Sequence, residues 1–293
     1  MTASLASARP ATRILVAGYG VMTAGIIPHL VNLPHTRVTI ASKHLAAAPL
    51  PGTTLTRPHD VAHADPDVII GCFADDPDSQ AFWTSAQTTD LLASRNPVCI
   101  ELSTISPAWA EDWHKHISGH GGIPVECPVT GSRPGATTGT LSAFLHTPVQ
   151  DDRTETVLAA FTAHRYAFTR PGNPARFKLI YNAWGASILH SLGVFARQLP
   201  AHLGEDYPIA AKAVTTDGWM STIAASKLPR VERQDYADPD FAARHMLKDL
   251  EHARDLLGAL PLIDLTIAAF AQTVANQGPY ADFTAVADPG PAS

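Results

Sequence analysis

Short apolar segments alternate with longer amphipathic segments through the first part of the chain. The apolar runs that predict strands are 13–18 (RILVAG), 37–41 (RVTIA), 67–71 (DVIIG), 97–101 (PVCIE), 123–127 and 141–146. The stretches between them that predict helices are 21–31, 79–94, 107–117 and 152–161. Strands that alternate with helices form a parallel sheet covered on both faces. We therefore predict an α/β, Rossmann-type domain with a parallel sheet over residues 1–172.

From residue 173 onwards the pattern is helical. Asn173 can cap a helix and Pro174 suits its first turn, so a long helix is expected from Pro174 to Leu199, with Pro200 ending it. This helix is apolar on more than one face, as in helices buried between domains or subunits. Only helices are expected after it, apart from a loop at 228–239. The second domain is predicted to be all-α, to span residues 173–293 and to join the first through the long helix.

The composition adds the expectation of an oligomer. Charged residues make up only 16% of the chain, against about 25% in average globular proteins, so more surface should be buried than a monomer needs. The net charge of −6 argues against a nucleic-acid partner. No apolar run approaches the roughly 20 residues that span a bilayer, and the first residues lack the apolar core of a secretion signal. Three widely separated cysteines favour a cytoplasmic location.

A glycine-rich turn follows the first predicted strand. Its residues are Gly18, Tyr19, Gly20, Val21 and Met22. Thr23 then replaces the third glycine of the pattern G-x-G-x-x-G. The first two glycines of that pattern let backbone N–H groups at a helix N-terminus approach a pyrophosphate, and the third allows close packing of the helix. We predict a dinucleotide site at this turn, with the position of its helix left open by Thr23.

The residues after the second strand indicate which dinucleotide binds. An acidic residue about 20 positions beyond the turn would hold the ribose 2′-OH of NAD, whereas a basic residue accommodates the 2′-phosphate of NADP. The chain has Ser42, Lys43 and His44 here, and its first carboxylate is Asp60. We therefore predict NADP(H), with these three residues as ligands. The alternative is that Lys43 is a solvated loop residue.

Five segments recur in an order that resembles the β-hydroxyacid dehydrogenase family. They are GYGVM at 18–22, ELSTISP at 101–107, ECPVTGSRPGATTGTL at 126–141, KLIYN at 178–182 and KDL at 248–250. The segments LPLID at 260–264 and GPYADF at 278–283 resemble the C-terminal pattern of the family. This family includes 3-hydroxyisobutyrate dehydrogenases, tartronate semialdehyde reductases and, more distantly, imine reductases. The resemblance implies a 6-phosphogluconate dehydrogenase-like C-terminal domain that forms a homodimer.

Lys178 and Asn182 are the candidate catalytic residues. They are four positions apart and so share one face of the predicted long helix. A desolvated ammonium can donate a hydrogen bond and a proton to a carbonyl oxygen as hydride reaches the carbon. The alternative is a lysine that extends from a buried helix to water. The resemblance implies that Lys178 is the general acid/base and that Asn182 orients the substrate hydroxyl or Lys178.

Further site residues follow other strands. Thr130, Gly131 and Ser132 stand where the family usually has Ser-Gly-Gly, and their hydroxyl and backbone N–H groups suit a substrate carboxylate; the alternative is a plain strand-to-strand turn. Positions at strand ends and the resemblance suggest additional cofactor contacts. These are Cys72, Phe73, Ala74, Thr104 and Lys248. The alternatives are a core position for Phe73 and a surface-helix charge for Lys248.

Two polar clusters are predicted not to bind metals. The histidines are His114, His116 and His120, and no acid or cysteine completes a zinc site with them. The carboxylates are Asp75, Asp76 and Asp78, which are expected to begin a helix, where negative charge complements the helix dipole.

Together these features predict an NADP(H)-dependent oxidoreductase that acts on a small hydroxy acid or its oxo or semialdehyde partner. One alternative is an NADPH-dependent imine reductase, although such enzymes commonly lack a lysine at the position of Lys178. A second alternative is a non-catalytic NADP-binding sensor, which Thr23 and Ser132 motivate. The presence of both Lys178 and Asn182 argues against a sensor.

Overall fold

The computed structural model describes residues 11–288. Their contacts divide the chain into two compact units, of which the first ends at Lys178 and the second begins at Leu179. The division falls inside one long helix. Each unit has its own hydrophobic core.

A six-stranded parallel sheet forms the centre of the first unit. Its strands are β1 (Thr12–Ala17), β2 (Thr36–Ala41), β3 (Thr53–Thr56), β4 (Val68–Gly71), β5 (Val98–Glu101) and β6 (Ile123–Glu126). They lie in the order β3-β2-β1-β4-β5-β6. The strand order therefore reverses next to β1, and open sheets of this kind bind ligands beyond the carboxyl ends of the strands at such a point.

Helices and a small second sheet complete the first unit. The helices are α1 (Val21–Val31), α2 (Asp76–Trp83), α3 (Ala86–Arg95), α4 (Pro107–Gly119), α5 (Ser132–Thr138) and α6 (Asp152–Ala159), with a 3-10 helix at Pro58–Ala64. The second sheet contains β7 (Val129–Thr130), β8 (Leu141–Leu145) and β9 (Thr162–Ala167). In it β8 pairs antiparallel with β7 and parallel with β9.

The large sheet is buried on both faces. In β1, Ile14 and Val16 join the core on one face, whereas Leu15 joins the core on the other. Successive side chains of a strand point to opposite faces, so a strand covered on both sides needs an unbroken apolar run. This explains why β1, β4 and β5 could be predicted from short apolar runs.

The second unit is helical in its described residues. Its helices are α7 (Asn173–Leu203), which begins in the first unit, α8 (Tyr207–Thr216), α9 (Ser221–Arg233), α10 (Ala243–Leu257) and α11 (Pro261–Gln277). Helices α10 and α11 pack against each other. Leu179, Met246, Leu250 and Phe270 are buried in the core of the unit. The predicted fold class is confirmed.

Several elements differ from the prediction. Strand β3 was not predicted because its sequence, TTLT, is polar and lies at the edge of the sheet. The single helix expected at 79–94 is two helices, because Ser85 begins a new one: its Oγ accepts a hydrogen bond from Thr88 N. Helix α5 and strand β9 were also missed.

Two prolines do not act as the sequence suggested. Pro200 was expected to end the long helix, but α7 continues to Leu203. A proline so close to a helix end removes one intrahelical hydrogen bond and leaves the preceding turns intact. Pro229 likewise lies inside α9, where the flanking Leu228 and Val231 are buried. Core packing thus overrides the loop that was predicted at 228–239, and the helix ends only at Arg233.

No helix in the described part of the chain combines the length and the apolar character needed to cross a bilayer.

Candidate functional site

The turn between β1 and α1 requires glycine at its first position. Gly18 has a φ of +92°, and a Cβ on this residue would lie 2.2 Å from the Cys72 carbonyl oxygen. A Cβ on Gly20 would meet nothing within 4 Å. The backbone of β1 therefore passes very close to the residue after β4, while the space beside Gly20 is open to a ligand.

Thr23 has a local role at the start of α1. Its Oγ1 accepts a hydrogen bond from Gly20 N at 2.9 Å. The close helix packing expected of a third glycine occurs at Gly25, where a Cβ would lie 2.8 Å from the Ala136 side chain of α5. The first turn of α1 contains no acidic residue, and a helix N-terminus attracts anions. These features fit a dinucleotide pyrophosphate.

The residues predicted to bind the 2′-phosphate lie just after β2. Ser42 is buried, and its Oγ accepts hydrogen bonds from the backbone N–H groups of His44 and Leu45, which fixes the turn. Lys43 and His44 are exposed. The ammonium of Lys43 forms an ion pair with Asp78 at 2.9 Å, so the structure places the predicted phosphate ligand beside a carboxylate.

Arg57 is a basic residue at the same edge that the sequence analysis did not identify. It follows β3, and its Nη1 donates hydrogen bonds to the carbonyl oxygens of Ser42 at 3.2 Å and Lys43 at 3.3 Å. The available signal was its place among the basic residues that precede the first carboxylate. Because β3 was not predicted, nothing in the sequence brought Arg57 next to β2.

The loops after β4 and β5 are joined by a hydrogen-bonded network. Phe73 N donates to Ser103 Oγ at 2.7 Å, and Ser103 N donates to Glu101 Oε1 at 2.9 Å. The predicted cofactor contacts Cys72, Phe73, Ala74 and Thr104 lie partly exposed on these loops. The Phe73 ring also lies 5.4 Å from that of Phe82, so Phe73 contributes to the core as well as to the loop surface.

Glu101 is a buried carboxylate that the sequence analysis did not single out. Its Oε2 accepts hydrogen bonds from Ser79 Oγ at 2.8 Å and from Trp83 Nε1 at 2.7 Å. Burial raises the pKa of Glu101, and its hydrogen bonds oppose that rise. The residue connects β5 to α2 and holds the loop that contains Thr104. Its position in the segment ELST was the available signal.

The predicted carboxylate-binding residues connect a strand to a helix. Thr130 ends β7, and Ser132 begins α5. The alternative of a strand-to-strand turn is therefore wrong, because the missed helix α5 follows directly. Gly131 has a φ of +126° and Ser132 has a φ of +53°. The left-handed conformation at position 132 explains why glycine is usual there in the family that the chain resembles.

Lys178 and Asn182 lie one turn apart in α7, and each side chain is only 7% exposed. Asn182 Nδ2 donates a hydrogen bond to Asp249 Oδ2 at 2.6 Å. The other oxygen of Asp249 lies 3.1 Å from Lys248 Nζ. Asp249, which was not predicted although it lies in the segment KDL, thus brings together two predicted residues, Asn182 and Lys248. The side chain of Lys248 is 19% exposed.

The start of α7 is anchored by a second buried carboxylate that the sequence analysis missed. Glu126, the last residue of β6, accepts hydrogen bonds from Gly172 N at 2.7 Å and Ala175 N at 2.8 Å. His114 Nε2 lies 3.3 Å from the same carboxylate. A carboxylate at a helix N-terminus satisfies free N–H groups and complements the helix dipole. Glu126 thereby fixes the helix that contains Lys178.

The other polar clusters have local roles. Asp75 caps α2 by accepting a hydrogen bond from Asp78 N at 3.0 Å, which confirms that these carboxylates begin a helix. His116 Nε2 lies 3.0 Å from the Trp83 carbonyl oxygen, and burial lowers the pKa of His116. Within residues 11–288, no group of histidine, cysteine and carboxylate side chains is arranged to hold a metal ion.

A family model describing the NAD-binding domain of 6-phosphogluconate dehydrogenase matches residues 13–168, more than half of the chain. The chain belongs to this family. Its phosphate turn and strand order are therefore those of an NAD(P)-binding domain of an oxidoreductase.

Individual relatives agree with this assignment. An uncharacterized oxidoreductase of Synechocystis is 24% identical over 268 residues, covering 88% of this chain and 90% of the relative. The structure of Psf3 in complex with NADP⁺ and 2-OPP has a TM-score of 0.78 at 22% identity, covering 93% of this chain and 98% of Psf3.

Two further solved structures have the same fold. A 3-hydroxyisobutyrate dehydrogenase from Salmonella typhimurium has a TM-score of 0.75 at 19% identity, with 94% and 99% of the two chains covered. An imine reductase variant from Myxococcus stipitatus in complex with NAD⁺ has a TM-score of 0.59 at 15% identity, with 95% and 99% covered. The resemblance to hydroxyacid dehydrogenases and imine reductases is thus confirmed at the level of the fold.

Proposed function

We propose that this protein is an NADP(H)-dependent oxidoreductase that moves hydride between the nicotinamide and a small hydroxy acid or its oxo or semialdehyde partner. The observation that carries the proposal is the burial of Lys178 one turn before the buried Asn182 in α7. An ammonium group is costly to bury, so a lysine at 7% exposure favours a chemical role over one that extends to water.

Lys178 is proposed to handle the proton of the reaction. The nicotinamide, when bound, supplies or accepts the hydride. During reduction the ammonium of Lys178 donates a hydrogen bond to the substrate carbonyl oxygen, stabilises the negative charge that develops there and transfers a proton to it. During oxidation the neutral amine accepts the hydroxyl proton. The alcohol product thus gains hydride on carbon and the Lys178 proton on oxygen.

Asn182 is proposed to orient the reacting groups. Asp249 accepts a hydrogen bond from its Nδ2 at 2.6 Å, which fixes the amide and leaves Oδ1 as an acceptor. That oxygen can accept a hydrogen bond from the substrate hydroxyl or from Lys178, its neighbour one turn earlier. The substrate carboxylate is assigned to the hydroxyls and backbone N–H groups of Thr130, Gly131 and Ser132.

The choice of NADP(H) rests on the residues around the end of β2. Lys43 and Arg57 supply positive charge there, Ser42 and His44 supply hydrogen-bonding groups, and no carboxylate precedes Asp60 in the sequence. The residues just after β2 do not include the acidic partner usual for a ribose 2′-OH of NAD. A 2′-phosphate there meets Arg57 and also Lys43, whose charge is shared with Asp78. The proposal is therefore specific for the phosphorylated cofactor.

The test is an assay of NADPH and NADH oxidation with small oxo acids, semialdehydes and cyclic imines. Wild-type protein should oxidise NADPH with an oxo acid or semialdehyde, and Lys178→Ala should lose this turnover. The matched control is Lys212→Ala, which removes an exposed lysine of α8. The Lys212→Ala variant should retain the full activity of the wild type. Equal activity of Lys178→Ala and wild type would contradict the proposal.

The same assay separates two other functions. The fold shared with an imine reductase makes cyclic imines the proper competing substrates, and turnover of imines alone would identify that activity. Binding of NADPH without turnover of any substrate in the panel would favour the sensor. A buried lysine beside a fixed asparagine favours a carbonyl substrate over both.

We also propose that the second unit forms a homodimer. Large apolar side chains are exposed on it, including Trp184 at 67% and Phe195 at 68% on α7 and Trp219 at 90%. Trp184 and Phe195 are eleven residues apart, close to three helical turns, and therefore share one stripe of α7. An exposed apolar stripe of this kind is typical of an interface between subunits.

A further inference from the structure

Arg57 and the end of β2 lie side by side at the outer edge of the large sheet. Strands β2 and β3 are parallel and in register, with Ala41 opposite Thr56. Ser42 N also donates a hydrogen bond to the Thr56 carbonyl oxygen at 3.2 Å. The next residue after Thr56 is Arg57, so its side chain starts from the carboxyl edge of the sheet, where the predicted 2′-phosphate ligands are.

The guanidinium of Arg57 is anchored to the turn after β2. A single nitrogen, Nη1, donates to the Ser42 and Lys43 carbonyl oxygens. A guanidinium has five N–H donors, so most of them are not used in these two contacts. Arg57 is exposed, and within residues 11–288 no carboxylate forms an ion pair with it.

Lys43 differs from Arg57 in being paired with a carboxylate. Its ammonium is 2.9 Å from the Asp78 carboxylate, and both side chains are well exposed, at 61% and 41%. The positive charge of Lys43 is therefore compensated by Asp78. A phosphate that approaches Lys43 also approaches Asp78 and is repelled by it, whereas no carboxylate in the described part of the chain is paired with Arg57.

We propose that Arg57 is the main residue that binds the 2′-phosphate of NADP(H) and that Lys43 makes a smaller contribution. This inference rests on the proposed function. Arginine binds phosphate through parallel N–H···O hydrogen bonds from a planar group, whereas lysine acts as a point charge. The contacts with Ser42 and Lys43 hold the guanidinium in position before the cofactor arrives, which reduces the entropy lost on binding.

The test compares nucleotides that differ only in the 2′-phosphate. Binding of NADPH and NADH is measured by quenching of tryptophan fluorescence, and binding of 2′,5′-ADP and 5′-AMP by calorimetry. The variants are Arg57→Leu, Arg57→Lys, Lys43→Met and Asp78→Asn. Neither method requires a substrate or turnover.

We expect Arg57→Leu to weaken binding of NADPH and 2′,5′-ADP about 10- to 100-fold, the range for hydrogen bonds to a charged group. Binding of NADH and 5′-AMP should change less than about twofold, which also shows that the variant is folded.

Arg57→Lys should recover part of the loss, because it restores charge without the planar group. Lys43→Met should have the smaller effect, and Asp78→Asn should tighten NADPH binding by about two- to fivefold, as expected for a broken surface ion pair.

Three results would overturn the inference. Equal weakening of NADPH and NADH by Arg57→Leu would mean that Arg57 only supports the β2 turn. A larger loss in Lys43→Met than in Arg57→Leu would make Lys43 the main ligand. Wild-type protein that binds NADH as tightly as NADPH would refute the assignment of NADP(H) as the cofactor. That failure of the proposed function is distinguishable from a failure of the Arg57 assignment, because it is seen in the wild type without any variant.

Discussion

Asp249 shows how a single side chain can connect residues that the sequence identifies separately. It is 1% exposed, and it contacts Asn182 through one carboxylate oxygen and Lys248 through the other. Asn182 was predicted from its spacing to Lys178 together with the family resemblance, and Lys248 from the resemblance alone. Asp249 could not be predicted, because its role depends on a contact between α7 and α10 that brings together residues 67 positions apart.

We predict that Asp249→Asn lowers kcat about tenfold or more and leaves the NADPH dissociation constant within about twofold, because the loss of a buried charged hydrogen bond costs about 1–3 kcal/mol. The physical reason is that an amide at position 249 is uncharged and has a single acceptor oxygen, so it cannot serve both Asn182 Nδ2 and Lys248 Nζ and holds Asn182 less firmly. Steady-state kinetics and fluorescence titration measure the two effects. Asp255→Asn, an exposed position of the same helix, is the control. A normal kcat in Asp249→Asn would refute the orienting role.

At the scale of elements, α7 is held by residues outside it. Glu126 accepts hydrogen bonds from Gly172 N and Ala175 N, so the end of β6 fixes the start of the helix that contains Lys178. The length of α7 could be predicted approximately from its apolar pattern. Its anchor could not, because a carboxylate at the end of a strand gives no sign in the sequence of which helix it caps.

Replacing Glu126 with glutamine should loosen the start of α7. One carboxylate oxygen becomes an NH₂ group that faces a backbone N–H, and a buried donor without an acceptor costs about 1–3 kcal/mol. We expect a lower melting temperature and faster hydrogen exchange in the peptide that contains Gly172 and Ala175. Glu251→Gln, at an exposed position of α10, is the control. Unchanged exchange at the start of α7 would contradict the anchor.

Helix α4 gives a pH-dependent contribution to stability through His116. Burial lowers the pKa of His116 below its ordinary value, so the unfolded chain binds this proton more tightly than the folded chain. The stabilising contribution is therefore complete above about pH 6.5 and is lost as the pH falls.

We expect the free energy of unfolding to fall between about pH 7 and pH 5 and to fall less steeply in His116→Gln. Burial also lowers the pKa of His190. His190 should therefore account for part of the remaining pH dependence of the free energy of unfolding. Urea titrations at several pH values measure the slope, with the exposed His202→Gln as the control. The same slope in wild type and His116→Gln would show that His116 contributes nothing.

At the scale of the whole molecule, the exposed apolar side chains of the second unit support a homodimer. We predict twice the chain mass by light scattering coupled to gel filtration. Phe195→Asp should shift the protein towards the monomer, because a carboxylate in an apolar interface is costly to desolvate. Val149→Asp, an exposed apolar position in the first unit, should leave the mass unchanged. A monomeric wild-type protein would contradict the proposal.

The central claim is that this chain reduces a carbonyl with NADPH through the proton of Lys178. The most direct measurement is kcat for NADPH oxidation with the best oxo acid or semialdehyde, in wild type and in Lys178→Ala, together with the NADPH dissociation constant of each. We predict a loss of about 10²- to 10⁴-fold in kcat with NADPH binding unchanged within about twofold. Undiminished turnover in Lys178→Ala would contradict the account.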